Sequence, residues 1–333
     1  QLMSRVLEFE GNRHEFEKPM RIISEYDVPE DAWFFQQNSH PEWMPYSVLM
    51  EIALQPCGFI SANSGAMLIY PELDLHYRNL DGNGTLSKHI DLRGKTIQAE
   101  VELYSTVASG NTVIQKHRFL LKCEGLPFYK GDTVFGYFTD EALENQTGLD
   151  GGKAKLPWLD ENTNHDMKVY RLNDSNSRLE SGKPHLKLAG NQLNLLDEVH
   201  LSPSVGSHGK GYAYGKRVVD PKDWFFPCHF HQDPVMPGSL GVEAILQALQ
   251  VFCLDQKLGD SFSNPRFRPS LSQTRWKYRG QIIPTTGMMQ LELHVSKIEK
   301  QDEQLMLVAD ASLWRDELRI YEVQNISLVI EEA

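Results

Sequence analysis

The chain has 333 residues, 41% of them hydrophobic, which is enough for two domains with real cores. A formal net charge of −12 argues against nucleic acid or an anionic membrane surface as partner. No run of about 18 residues is apolar enough to suggest a membrane span. The sequence opens at Gln1 with no basic-then-apolar leader, so it reads as a piece of a longer polypeptide, with neither a signal peptide nor a natural start. Cys57, Cys123, Cys228 and Cys253 show no CxxC spacing and sit among apolar neighbours, the pattern of reduced, buried thiols in a cytoplasmic protein.

In chain order, residues 20–28 predict a strand leading into the aromatic cluster Trp33, Phe34 and Phe35. Residues 45–62 predict an apolar helix in which Val48, Ile52, Gln55 and Phe59 form one stripe, with Glu51 beside it. Pro56 inside it predicts a kink or an early end. A loop rich in Asn and Gly follows. Residues 96–105, 112–124 and 131–139 carry strand signals, the first two alternating about a turn at Ser109, Gly110 and Asn111. Residues 147–185 are polar and rich in Gly, Asn, Asp and Ser, and read as a connector running over the surface. Beyond Gly190, residues 208–219 predict a glycine-bearing strand, Trp224 a second aromatic strand end, and residues 238–254 a second apolar helix. Strands are predicted at 274–280, 288–297, 304–314 and 318–330. Each half thus describes one long apolar helix wrapped by a curved antiparallel sheet.

The halves are also related in sequence. AWFFQQNSHPEWMPYSVLMEIALQ at residues 32–55 parallels DWFFPCHFHQDPVMPGSLGVEAILQ at 223–247. Trp33, Phe34 and Phe35 match Trp224, Phe225 and Phe226. After a one-residue gap Met44, Pro45, Ser47, Glu51 and Gln55 match Met236, Pro237, Ser239, Glu243 and Gln247. Leu92, Arg93 and Gly94 have counterparts in Tyr278, Arg279 and Gly280. A spacing this long is wrong for a solenoid, and two copies of one domain explain it more simply.

The second copy concentrates chemistry. Glu243 and Gln247 lie four apart and share a helix face. Gly238 follows Pro237 at the start of the apolar run, so its N–H is an orphan donor at the positive helix end, suited to a carbonyl oxygen gathering negative charge. His229 lies just before the helix start. Its bland reading is a hydrogen-bonded core histidine; for Glu51 and Glu243 the bland reading is a helix edge facing water, since a carboxylate among Leu, Ile, Val and Ala is costly unless exposed, paired or protonated. Cys228 and His229 are sequence neighbours whose side chains diverge on an extended segment, so they do not read as a nucleophilic pair.

CHFHQDPVMPGSLGVEA, residues 228–244, resembles the motif of the hot-dog-fold 3-hydroxyacyl-thioester dehydratases, especially the dehydratase domains of polyunsaturated fatty acid synthases. The resemblance is close over residues 224–250, looser over the rest of the second unit and weak over the first, where it rests mainly on the repeat. It implies an α+β double hot-dog: a unit over residues 1–157, a connector over 158–189 and a unit over 190–333, paired as an intrachain pseudo-dimer. In that family the histidine and the Gly N–H belong to one unit and the acid to its partner, which assigns His229 and Gly238 to one site with Glu51 and, one turn on, Gln55. The other site would hold Asn38, Tyr46, Glu243 and Gln247 and be degenerate. Asn38 cannot take up a proton, and Tyr46 crowds the helix end. His40, two residues on, reads as a surface or structural histidine. The implied reaction is elimination of water to a trans-2-enoyl thioester, with no metal and no redox cofactor. Members that also isomerise the double bond usually carry Asp where this chain carries Glu. The substrate would ride on the phosphopantetheine of an acyl carrier protein within a multienzyme synthase. Phe225, Phe226, Leu240 and Trp33 are candidate walls for its acyl chain. Arg266, Arg268, Arg275, Lys277 and Arg279, in a stretch without acidic residues, form a candidate carrier-docking patch, against the alternative of a strand with basic residues facing water.

Other classes fit parts of the pattern. His229, His231 and Asp233 have the His-x-His spacing of metal-dependent β-barrel enzymes, although the Pro-Gly helix start is wrong for that fold. A non-catalytic acyl-binding or scaffolding hot-dog module and a hot-dog thioesterase are the remaining alternatives.

Overall fold

The structure, a computed structural model, describes residues 1–162, 165–173, 179, 182–301 and 303–332. In chain order the elements begin with β1 (Arg5–Glu10), β2 (Met20–Asp27), α1 (Trp33–Gln37), α2 (Tyr46–Ser64), β3 (His76–Leu86), β4 (Thr96–Ser109), β5 (Thr112–Cys123) and β6 (Leu126–Phe138). There follow α3 (Asp140–Glu144), α4 (Trp158–Glu161), β7 (Lys168–Arg171), β8 (Glu198–Ser202), β9 (Tyr212–Val218) and α5 (Gly238–Asp255). The chain closes with β10 (Pro265–Pro269), β11 (Gln273–Tyr278), β12 (Met288–Gln301), β13 (Gln304–Arg315) and β14 (Leu318–Glu332). Two compact units result. Unit 1 comprises Gln1–Ala32, Ser47–Gln146 and Leu271–Lys277; unit 2 comprises Trp33–Tyr46, Thr147–Ser270 and Tyr278–Ala333.

In unit 1 the strands run in the order β1, β2, β4, β5, β6, β3, β11, every pair antiparallel. The alternation read from sequence becomes a buried face: Ile97, Ala99, Val101 and Leu103 on β4, and Val113, Gln115, His117, Phe119, Leu121 and Cys123 on β5. The β4–β5 turn falls as predicted, with Gly110 at φ 57, a left-handed conformation that glycine takes without strain. Helix α2 packs on this sheet through polar as well as apolar contacts. Ser61 Oγ lies 2.9 Å from both Tyr77 Oη and His117 Nε2, and Ser64 Oγ accepts from Gln115 Nε2 at 3.1 Å. The early end expected at Pro56 does not occur, because the helix is held from outside and runs on to Ser64. Residues Tyr46–Ile69 are by length and composition alone apolar enough to cross a membrane, contrary to the sequence expectation. A core helix passes the same test, and the polar ties of Ser61 and Ser64 mark α2 as one.

The stretch taken as an Asn- and Gly-rich loop contains strand β3. Its glycines make room for aromatic neighbours: a Cβ on Gly82 would stand 2.2 Å from the Trp276 ring and one on Gly84 2.0 Å from Tyr129 Oη. Here the ladder with β6 and β11 specifies the strand, and the side-chain pattern does not.

In unit 2 the order is β14, β13, β12, β9, β8, β7, with β10 also paired to β14. Helix α5 packs against β8, β9, β12, β13 and β14, and every residue from Ser239 to Leu254 is buried, as a helix apolar on all sides requires. Strands β1, β8 and β10 carry no clear sequence signal, and β9 starts at Tyr212, later than predicted.

Neither aromatic cluster is a strand end. Trp33–Gln37 is a short helix, and the segment from Trp224 to Cys228 is a chain of turns. Phe34 and Phe35, like Phe225 and Phe226, are buried as consecutive residues, which a strand with alternating faces cannot achieve. Both clusters lie in unit 2, where the rings of Trp33 and Trp224 meet edge-on at 5.3 Å.

The described part of the stretch read as a connector is largely exposed, and it is stapled to unit 2. Arg319 holds Asp150 through two hydrogen bonds of 2.8 and 2.7 Å, and Trp314 Nε1 donates to Lys155 O at 2.7 Å. Glu292 accepts from Trp158 N at 2.6 Å. Strand β7 then pairs with β8. Residues 163, 164, 174–178, 180 and 181 of the expected connector lie outside the described residues. Cys57, Cys123 and Cys253 are buried as expected, but Cys228 is exposed because the turn that carries it faces water.

Candidate active site

His229 is positioned by a closed turn. Its backbone N–H donates to Phe225 O at 2.9 Å, its carbonyl accepts from Val235 N at 2.7 Å, and its Nδ1 lies 2.9 Å from Val235 O. A carbonyl oxygen can only accept, so Nδ1 carries the ring proton and Nε2 of the neutral imidazole is left as a lone-pair acceptor. That is the protonation pattern of a general base. The same turn leads through Met236, whose N–H donates to Ile282 O at 2.9 Å, into Pro237 and the first residue of α5, Gly238. His229 and Gly238 therefore sit on one rigid segment of unit 2.

Gly238 begins a helix of 18 residues whose N-cap, Pro237, offers no side-chain hydrogen bond. The Gly238 N–H stands at the end of a helix where no carbonyl one turn earlier can take it, and the helix dipole adds to its pull on an anion. Glu51 and Gln55 lie on α2 in unit 1, both half-buried, and Gln55 Oε1 accepts from Leu2 N at 2.8 Å.

The residues read as a degenerate second site are largely engaged in holding unit 2 together. Asn38 Nδ2 donates to Trp43 O at 2.7 Å, and its Oδ1 accepts from Ser39 N at 2.8 Å. Gln247 Oε1 accepts from Leu195 N at 2.9 Å, and its Nε2 donates to Asn194 Oδ1 at 3.2 Å. Glu243 is buried, which overturns the reading of a carboxylate facing water at a helix edge. Tyr46 is buried as well. His40 is no surface histidine either: it is buried, and its Nδ1 accepts from Glu42 N at 3.3 Å. In the neutral ring Nε2 must then carry the proton, the reverse of His229, so His40 is a donor there and no substitute for the missing base.

Of the candidate wall residues, Phe225, Phe226 and Leu240 are buried and Trp33 stands at the surface edge. The basic patch is smaller than its sequence suggested. Arg266 pairs with Glu42 and Glu331, and Arg268, buried, pairs with Glu331. Arg279 Nη1 donates to Tyr278 O at 2.6 Å. Arg275 and Lys277 alternate outward on β11. For the metal reading, His231 is exposed, His229 has Nδ1 committed to a carbonyl, and among the described residues no three His, Cys, Asp or Glu side chains gather as a metal site.

Sequence reasoning missed Val235, whose carbonyl sets the tautomer of His229, and Tyr278, whose ring lies against Gly238. A backbone carbonyl leaves no residue-type signal. Tyr278 had one, in the comparison of the two repeats.

The long helix and antiparallel sheet of each unit define the α+β double hot-dog class, and residues 188–324 match the FabA-like domain family. The chain is 37% identical over 320 residues to a polyunsaturated fatty acid synthase polypeptide of a Thraustochytrium species, a match that covers 93% of this chain and 21% of that polypeptide. It therefore spans about a fifth of that relative's length. Among solved structures it resembles an inactive variant of the CurK dehydratase, with 12% identity and a TM-score of 0.52 over 100% of this chain and 99% of that one. It also resembles an oleoyl thioesterase from Lactobacillus plantarum, with 6% identity and a TM-score of 0.51 over 94% and 96%. At such identities the likeness is one of fold, and a fold shared by a dehydratase and a thioesterase does not choose the reaction.

Proposed function

We propose that the chain is a dehydratase domain of a fatty acid or polyketide-type synthase, a hydro-lyase that removes water from 3-hydroxyacyl thioesters on an acyl carrier protein to give trans-2-enoyl thioesters. The observation that carries this reading is the 2.9 Å approach of His229 Nδ1 to the Val235 carbonyl, which assigns a proton to Nδ1 and leaves Nε2 as a base on the segment that ends in the Gly238 helix start.

The thioester carbonyl oxygen accepts from the Gly238 N–H, which with the helix dipole stabilises the enolate-like charge of the transition state. Nε2 of His229 removes the proton from the carbon next to the carbonyl. The electron pair of that C–H bond becomes the new double bond as the C–O bond at carbon 3 breaks, and Glu51 protonates the departing hydroxyl, which leaves as water. The assignment to Glu51 follows the family pattern in which the acid comes from the other repeat, with two tandem units over residues 1–157 and 190–333. Gln55, one turn on, orients that carboxyl. The elimination transfers no electrons to an acceptor and needs no metal to polarise the carbonyl once the helix N–H is in place. A cytoplasmic synthase is the setting that goes with this chemistry.

The test is hydration of a crotonyl-type thioester, the reverse reaction. His229→Ala and Glu51→Gln each abolish it, whereas Glu243→Gln retains most of it; full activity in His229→Ala refutes the proposal.

A further inference from the structure

Volume at the start of α5 is controlled from the strand side. A Cβ built on Gly238 would stand 2.6 Å from Cε2, 3.0 Å from Cζ and 3.2 Å from Cδ2 of Tyr278. One built on Gly241, on the same helix face one turn later, would stand 2.5 Å from Cε2 of Tyr321. The two tyrosine rings are themselves packed at 4.3 Å, and both are buried. The first turn of α5 therefore rests on a plate of two rings, and each glycine is the residue that lets the backbone reach it. With the rings set against the bare backbone, the turn has little room to shift towards the strand.

The internal repeat shows what this plate replaces. Where the second copy has Gly238 on the helix and Tyr278 at the end of β11, the first has Tyr46 on the helix and Leu92 in the turn that precedes β4. One copy puts the large side chain on the helix start, and the other puts it on the strand and keeps the helix start bare. The bare start is the one on the same segment as His229.

We infer that Tyr278 is a positioning residue for the proposed dehydration: its ring, seated against the Gly238 Cα, fixes the first turn of α5 so that the Gly238 N–H stays aimed at the thioester carbonyl oxygen. This rests on the reading given under Proposed function. A donor that must meet charge developing in the transition state loses effect when displaced by a fraction of an ångström, so the ring acts on turnover more than on binding.

The experiment measures kcat and KM for hydration of a crotonyl-type thioester, with folding followed by circular dichroism. Tyr278→Leu lowers kcat by roughly tenfold or more with KM within about twofold, and Tyr278→Phe, which keeps the ring, restores kcat. Gly238→Ala, whose new methyl meets the Tyr278 ring, lowers kcat by about a hundredfold, the order seen when an oxyanion donor is lost. Adding Tyr278→Leu to Gly238→Ala makes room for that methyl and recovers at least about tenfold of the loss, a coupling that a purely structural role does not produce. The inference is overturned if the double variant is no better than Gly238→Ala, or if folded Tyr278→Leu keeps the wild-type kcat. An inactive wild type instead removes the dehydratase reading itself, and this inference with it.

Discussion

His117 makes the stability of unit 1 depend on pH in a way that can be calculated. Its ring is fully buried on β5, with Nε2 2.9 Å from Ser61 Oγ, and burial pushes its pKa down from 6.5 to about 3. A histidine with a depressed folded pKa is neutral in the native state while the unfolded chain takes up a proton, so stability is full above the unfolded pKa and is lost as pH falls from 6.5 towards 3. The loss by pH 5 is about 2 kcal/mol, and by pH 4 it is about 3 kcal/mol. Urea unfolding of the wild type and of His117→Gln, measured from pH 7.5 to pH 4, isolates this effect. Glutamine keeps a hydrogen-bonding partner for Ser61 but does not titrate, so whatever fixed cost it carries is the same at every pH. The gap between the two proteins should close by about 2 kcal/mol between pH 7.5 and 5. Parallel curves over that range would refute the assignment of a buried neutral imidazole.

Removing Glu331 should be severe, because it leaves Arg268 buried beside Arg266 without its carboxylate; Glu331→Ala is expected to cost about 3–5 kcal/mol in chemical denaturation. Glu292 is buried and accepts from Trp158 N and from Tyr212 Oη, and burial together with that carboxylate raises the Tyr212 phenol well above its usual range. Glu292→Ala should destabilise by about 2–3 kcal/mol and open residues 147–162 to limited proteolysis, seen as a new early cleavage there. Charge reversal at Arg275 and Lys277 should raise KM for carrier-bound substrate and leave a small free thioester unaffected; unchanged turnover of the carrier-bound form would remove the docking reading.

The candidates His229 and Gly238 were legible from the motif at residues 228–244, and the order of elements largely from hydrophobic periodicity. The tautomers of His229 and His40 were not, because each is set by one backbone group, the Val235 carbonyl in one case and the Glu42 N–H in the other. The basic residues at 266 and 268 looked available because their partner, Glu331, lies far away in sequence on β14. Strand β3 was hidden for a related reason: glycines that admit Trp276 and Tyr129 look like a loop until those rings are in place.

By itself the sequence determined that there are two copies of one pattern, which helices and most strands each contains, and that where the later copy has His229 and Gly238 the earlier one has Asn38 and Tyr46. Tertiary structure alone decided that Trp33–Tyr46 joins unit 2 and Leu271–Lys277 joins unit 1. It also decided that Glu243 is buried and that Tyr278 backs Gly238. Periodicity reports which face of an element leaves water, a property each residue carries locally. Which partner covers that face depends on contacts between residues far apart in the chain, and no local pattern encodes them.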